Sequence, residues 1–241
     1  MSLTAKLALS PLLVAQSLRL RARMPRLPEA TGPRSGVRGK GAPLRLLIAG
    51  DSSAAGVGVL HQRLALAGQL VPALARACGM QVRWQLHARS GLTTAQTLAW
   101  LRESALAQAD IAVIVTGVND VVDHVPTRHA VAARDALASW LRNSLAVQHV
   151  VFAPLPPIHH FPGLPQPLRW VAGADALRHN RALSDWAATR SDVSVVAMEV
   201  PLNRGVMAVD GFHPGEPVYR YCGSSLALHI SDLVPRTLPG R

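Results

Sequence analysis

Four short clusters in this chain carry side chains able to work together in acyl transfer. Gly50-Asp51-Ser52-Ser53-Ala54-Ala55-Gly56 sets a serine hydroxyl between two glycines. The glycines permit a sharp turn and a close substrate approach. Gly117-Val118-Asn119-Asp120 carries an amide whose N–H groups suit a developing oxyanion. Ser90-Gly91 offers a backbone N–H beside a residue with no side chain. Asp210-Gly211-Phe212-His213-Pro214 places a carboxylate three residues before an imidazole. Such a carboxylate can fix the ring tautomer through Nδ1 and leave Nε2 to take a serine proton.

Each cluster alone has a plainer reading. The first is also an ordinary strand-to-helix turn with a capping Asp or Ser, and Asn119 or Asp120 could simply cap a helix. Glycines are common in loops, and Asp210 and His213 could be a chance pair in a chain with ten histidines. The nucleophile elbow G-x-S-x-G fails because residue 54 is Ala. The phosphate loop fails because no Lys follows the glycines.

The elements between the clusters decide how they combine. Apolar runs at Leu44–Ala49, Val82–Leu86, Ile111–Thr116, His149–Ala153 and Val193–Ala197 read as buried strands. Helical spacing covers His61–Cys78, Thr94–Gln108 (with Thr93 as N-cap), Arg128–Ala146, Ala174–Thr189 and Pro217–Val234. Alternating strands and helices predict a five-stranded parallel sheet covered on both faces. In such folds ligands sit at the carboxyl ends of the strands. All four clusters follow a predicted strand.

Taken together, Ser52, Gly91, Asn119 and His213 resemble the four signature residues of the SGNH (GDSL-type) hydrolase superfamily over residues 44–234. The match lies in Gly50-Asp51-Ser52, Gly117-Val118-Asn119-Asp120 and Asp210-Gly211-Phe212-His213-Pro214. Position 53 is Ser where the GDSL name has Leu. The resemblance implies a flavodoxin-like three-layer α/β/α fold and hydrolysis of esters, thioesters or carbohydrate acetyl groups without metal or cofactor. It also implies Ser52 as nucleophile, His213 and Asp210 as its base and orienter, and the Ser52 and Gly91 N–H groups with the Asn119 amide as oxyanion donors. A small acyl ester is the expected substrate, with a carbohydrate O-acetylesterase, a thioesterase or lysophospholipase, or a silent flavodoxin-like binding module as alternatives.

The stretch from Pro154 to Trp170 is long and irregular, and at the carboxyl edge it reads as a substrate wall, with His159, Phe161 and Trp170 facing the ligand, or as a rigid Pro-rich surface loop. His159-His160 has no accompanying carboxylates and is not expected to hold zinc. Cys78 and Cys222 have no metal spacing and read as buried thiols, although one disulfide would also fit.

The net charge of +11 is concentrated in residues 1–45, which hold nine Lys or Arg and one acid and so supply +8. The remaining chain is nearly neutral and lacks an aromatic–basic stripe, which argues against nucleic acid as a partner. Residues 1–24 are not apolar enough to span a bilayer, and their charge follows the apolar run where a signal peptide would carry it before. They read as a peripheral membrane helix, or as a helix packed on the domain or a partner subunit, and residues 25–43 as a linker to the domain at 44–241. An intracellular place on the cytoplasmic membrane face is expected, with export as the alternative.

Overall fold

The computed structural model describes residues 3–199 and 202–237. The elements run α1 (Leu3–Arg23), β1 (Ser35–Arg38), β2 (Pro43–Gly50), α2 (Ser52–Ala55), α3 (Leu66–Cys78), β3 (Gln81–Ala88), α4 (Thr94–Arg102), β4 (Ile111–Val115), α5 (Val118–Val122), α6 (Thr127–Leu145), β5 (His149–Phe152), α7 (Leu168–Ala187), β6 (Val193–Val195) and α8 (Glu216–Thr237).

The strands form one sheet in the order β1-β3-β2-β4-β5-β6. Strands β2 to β6 are parallel, and β1 pairs antiparallel with β3. Counting the parallel strands alone gives the flavodoxin-like order 2-1-3-4-5. That order reverses direction between β2 and β4, which opens the crevice where such folds bind ligands.

The alternation along β2 divides the core. Leu44, Leu46 and Ile48 pack with α3 and α8, joined by Leu70, Leu74, Leu226 and Ile230. Leu47 and Ala49 point the other way, towards α4, α6 and α7, and meet Leu101, Leu137, Leu141 and Leu183. Helices on both faces bury both sides of the parallel strands, giving the three-layer α/β/α sandwich. Thr93 caps α4 in a full capping box with Gln96.

The sheet has six strands, one more than the sequence pattern implies. The extra strand β1 lies inside the segment read as a linker. Its four residues are all exposed, so no apolar alternation announces it. Its pairing with β3 covers that strand's outer edge. The same segment is fastened upstream, where Ala30 is buried and the Thr31 N–H donates to the Leu60 carbonyl. Helix α4 ends at Arg102, short of the expected Gln108, and α7 begins at Leu168, ahead of the expected Ala174.

Candidate active site

Ser52 is the first residue of α2, immediately beyond the end of β2. Asp51 caps that helix, its carboxylate accepting the Ser53 N–H at 3.0 Å. The turn is laced to the sheet: the Asp51 N–H donates to Val115 O at the end of β4, and the Arg89 N–H to Gly50 O. Gly50 is required by closeness, since a Cβ there would sit 2.0 Å from the Val115 carbonyl oxygen. The nucleophile candidate is therefore pinned between the ends of β2, β3 and β4.

His213 approaches from the loop before α8. Its Nε2 lies 3.2 Å from Ser52 Oγ, and its Nδ1 lies 2.6 Å from Asp210 Oδ2. Asp210 Oδ1 accepts the backbone N–H groups of Phe212 and His213, both at 2.9 Å. Burial alone would raise the Asp210 carboxyl, but the His213 ring and these two amides hold it below the usual carboxylate value. A charged Asp210 favours the tautomer in which His213 Nδ1 carries the proton and Nε2 is free to accept one. Asp51 behaves in the opposite way. Its burial pushes it up to about 7, against the Ser53 hydrogen bond and the nearby His213.

Asn119 stands in α5, just after β4, and its Nδ2 donates to the Leu92 carbonyl at 3.0 Å. One N–H is thereby committed to the loop after β3, and the other remains for a ligand. The loop carrying Gly91 is held from the far side by Glu29. The Glu29 Oε1 accepts both the Ser90 N–H (2.7 Å) and the Ser90 hydroxyl (2.8 Å). Its Oε2 meets Arg34 NH2 at 2.5 Å, and Arg34 NH1 donates to Ala88 O. Burial acts to raise the Glu29 carboxyl, but the Ser90 bonds and Arg34 outweigh it and leave it lowered.

A second layer fixes Asn119. Its neighbour Asp120 is fully buried and accepts the Thr94 N–H at 2.9 Å and the Thr94 hydroxyl at 2.6 Å. Arg134 from α6, also buried, faces the same carboxylate at 3.4 Å. Gly117 must be glycine here: its φ is +125°, and a Cβ would meet Arg134 NH2 at 2.6 Å. In the sequence Asp120 reads as part of the Gly-x-Asn-Asp match and as a possible helix cap, while Thr94, Arg134 and Glu29 carry no signal. Asp120 and Thr94 meet across 26 residues of chain and Glu29 reaches Ser90 across 61, while Arg134 reaches Asp120 from the next helix.

A cavity of about 100 Å³ opens beside Ser52 and His213. Its walls are nearly all apolar: Leu66 and Leu226 on the α3/α8 side, Val115 and Ala153 from strand ends, and Leu155, Phe161, Met207 and Phe212 from loops. Tyr219 closes one side with its O–H donating to Val57 O at 2.6 Å, and burial raises that phenol well above its ordinary value. Phe161 stacks edge-on against Phe212 at 5.2 Å, and Phe212 edge-on against His213 at the same distance. Of the three residues expected along the substrate wall, Phe161 lines the cavity. His159 instead packs against Gly173 of α7, and Trp170 is half exposed on α7, outside the cavity lining. The early start of α7 turns Trp170 from a loop residue into a helix-surface one. Cys222 also lines the cavity; it and Cys78 are both free thiols.

Several solved structures share this fold. A lipase, Lip_vut3, from goat rumen metagenome superposes with a TM-score of 0.63 at 19% identity, covering 78% of this chain and 97% of that one. The family 3 carbohydrate esterase of Clostridium thermocellum gives 0.62 at 16%, covering 80% and 98%. The psychrotrophic esterase EstA of a Pseudoalteromonas species, solved inhibited by monoethylphosphonate, gives 0.57 at 16%, covering 79% and 98%. A comparison with curated proteins finds no match. These likenesses establish the fold. Residues 48–221, which hold the Ser52, Asn119 and His213 clusters together, match the GDSL-like lipase/acylhydrolase family, and this chain belongs to it.

Proposed function

We propose that the chain hydrolyses carboxylic esters through an acyl-enzyme on Ser52, and that the apolar cavity receives the acyl chain. The observation that carries this reading is the continuous line from Asp210 through His213 to Ser52 Oγ at the mouth of an apolar cavity.

The Ser52 Oγ attacks the ester carbonyl carbon as its proton passes to His213 Nε2. Negative charge gathers on the former carbonyl oxygen, where the Ser52 and Gly91 backbone N–H groups and the free Asn119 N–H are assigned to meet it. The tetrahedral adduct collapses, the C–O bond to the alcohol breaks, and the alcohol leaves with the proton from His213. Water, deprotonated by His213, then attacks the acyl-enzyme and frees Ser52. Asp210 keeps the ring oriented and balances the imidazolium, without taking the proton itself.

The cavity favours an acyl chain over a sugar. A carbohydrate would need several polar groups along the wall, and apart from the catalytic pair this one offers little more than Ser53 and a Tyr219 hydroxyl already bonded to Val57. A thioester carrying the same acyl group would meet the same site. A panel of p-nitrophenyl esters from acetate to palmitate, given to the native chain and to Ser52→Ala, tests the reading. Turnover should be greatest on chains longer than acetate and be lost in the variant. Equal turnover in the variant, or no ester cleaved, would overturn it.

A further inference from the structure

Helix α1 is apolar on two opposite sides. One side faces the domain: Leu9, Leu13, Gln16, Ser17, Leu20 and Met24 are all partly buried. Leu20 packs into the cluster containing Leu155, Ile158 and Phe161, of which Leu155 and Phe161 line the cavity. Gln16 fastens the helix, with its Nε2 donating to Gln166 O (2.7 Å) and its Oε1 accepting the Leu168 N–H (3.2 Å) at the start of α7.

Among the described residues nothing covers the other side. Pro11, Val14, Ala15, Leu18 and Ala22 are exposed, and at 3.6 residues per turn they fall within an arc of about 100°. Val14 is 57% exposed and Leu18 63%. Arg19, Leu12 and Arg23, all exposed, form the shoulder of this stripe. On α7, Trp170 lies 49% exposed two residues beyond the amide that Gln16 holds.

We propose that this outer face of α1 docks the protein on an anionic phospholipid bilayer. An apolar stripe with arginines on its shoulder is what lies flat in a lipid interface, aliphatic side chains among the acyl chains and guanidinium groups at the phosphates. The charge selects this occupant over a second copy of the chain. Helix α1 carries no acid, so a second copy of this face would bring its arginines no counter-charge. No helix among the described residues is long and apolar enough to cross a membrane, and docking requires none. The proposal concerns this surface and stands or falls apart from the esterase reading.

The test is co-sedimentation of the full chain with phosphatidylcholine vesicles, with and without phosphatidylglycerol, in low and high salt. The native chain should bind in proportion to the anionic lipid and be released by salt. Val14→Asp with Leu18→Asp should weaken binding about tenfold or more, since burying charge removes the apolar contribution. Arg19→Gln with Arg23→Gln should weaken the preference for phosphatidylglycerol. Both pairs are exposed and outside the site, so thermal unfolding and hydrolysis of a soluble short-chain ester should match the native chain. Failure of the native chain to bind anionic vesicles would overturn the proposal, as would undiminished binding by the Val14/Leu18 variant. A concentration-dependent dimer abolished by that variant, without vesicle binding, would assign the face to a second copy instead. Loss of soluble-ester hydrolysis in the native chain would count against the esterase reading alone.

Discussion

Asp210 holds His213 by both its ring and its backbone: Oδ2 lies 2.6 Å from Nδ1, while Oδ1 accepts the His213 N–H at 2.9 Å. One carboxylate thus sets the loop and the tautomer together. In Asp210→Asn the amide oxygen can still accept the backbone N–H, so the loop should survive, but the ring loses its anionic partner. We expect kcat to fall by about 10²–10⁴ with little change in KM and an unchanged near-UV circular dichroism spectrum. Near-native kcat would remove Asp210 from the mechanism.

Asn119 has one N–H committed to Leu92 O. Asn119→Ala should lower kcat by about 10²–10³ through loss of an oxyanion donor. Steady-state kinetics would separate this from a binding defect, which would raise KM instead.

Glu29 reaches the Gly91 loop from a segment distant in sequence. Glu29→Ala should free Ser90 and loosen that loop, lowering kcat while leaving thermal stability close to native. Glu29→Gln keeps an oxygen for Ser90 and should restore most of the rate. Identical kinetics for all three proteins would show that the clamp does not serve the site.

Asp51 gives a pH signature. Unfolded, it ionises near 3.8, whereas in the fold it keeps its proton up to about 7. Between those values the native state binds more protons, so this group's contribution to stability falls as pH rises through the window and is flat above it. Asp51→Asn preserves an oxygen for the helix cap and removes the titration. Urea denaturation of both proteins from pH 4 to pH 8 should show the variant gaining on the native chain as pH rises. Asp210, held low, works the other way: its contribution is present above the ordinary carboxylate value and lost as pH falls through its lowered native one. The Asp51 effect must therefore be read as the difference between the two proteins.

Arg134 and Asp120 are buried together behind Asn119. Arg134→Leu leaves Asp120 without its counter-charge and should destabilise by about 3–5 kcal/mol. Adding Asp120→Asn to Arg134→Leu should recover part of that loss, measurable as a double-mutant cycle in urea. Strict additivity would mean that the two groups do not couple.

The fold was legible wherever burial leaves a pattern. The runs at Leu44, Ile111 and His149 are strands buried on both faces, and continuous apolar sequence is their signature. The serine and asparagine clusters were legible because each sits where a strand ends at the carboxyl edge of the sheet, and the histidine cluster through its Asp-x-x-His spacing, on the loop just before α8. Strand β1 was not, because an exposed four-residue edge strand takes its conformation from its partner. Trp170 and Phe161 look alike in sequence, yet α7 starts between them, leaving Phe161 in the cavity wall and Trp170 on a helix surface. Glu29 and Arg134 could not be read at all, since their roles depend on Ser90 and Asp120 arriving from other elements.

Covalent trapping identifies the nucleophile without relying on turnover. The native chain, His213→Ala and Ser52→Ala would be incubated with an activated alkyl phosphonate ester and weighed intact, with the modified peptide then sequenced. Nucleophilic attack by Ser52 requires one phosphonyl group per native chain, on Ser52, formed far more slowly in His213→Ala and absent in Ser52→Ala. Labelling of Ser52→Ala at the native rate, or a native label on any residue other than Ser52, would contradict it.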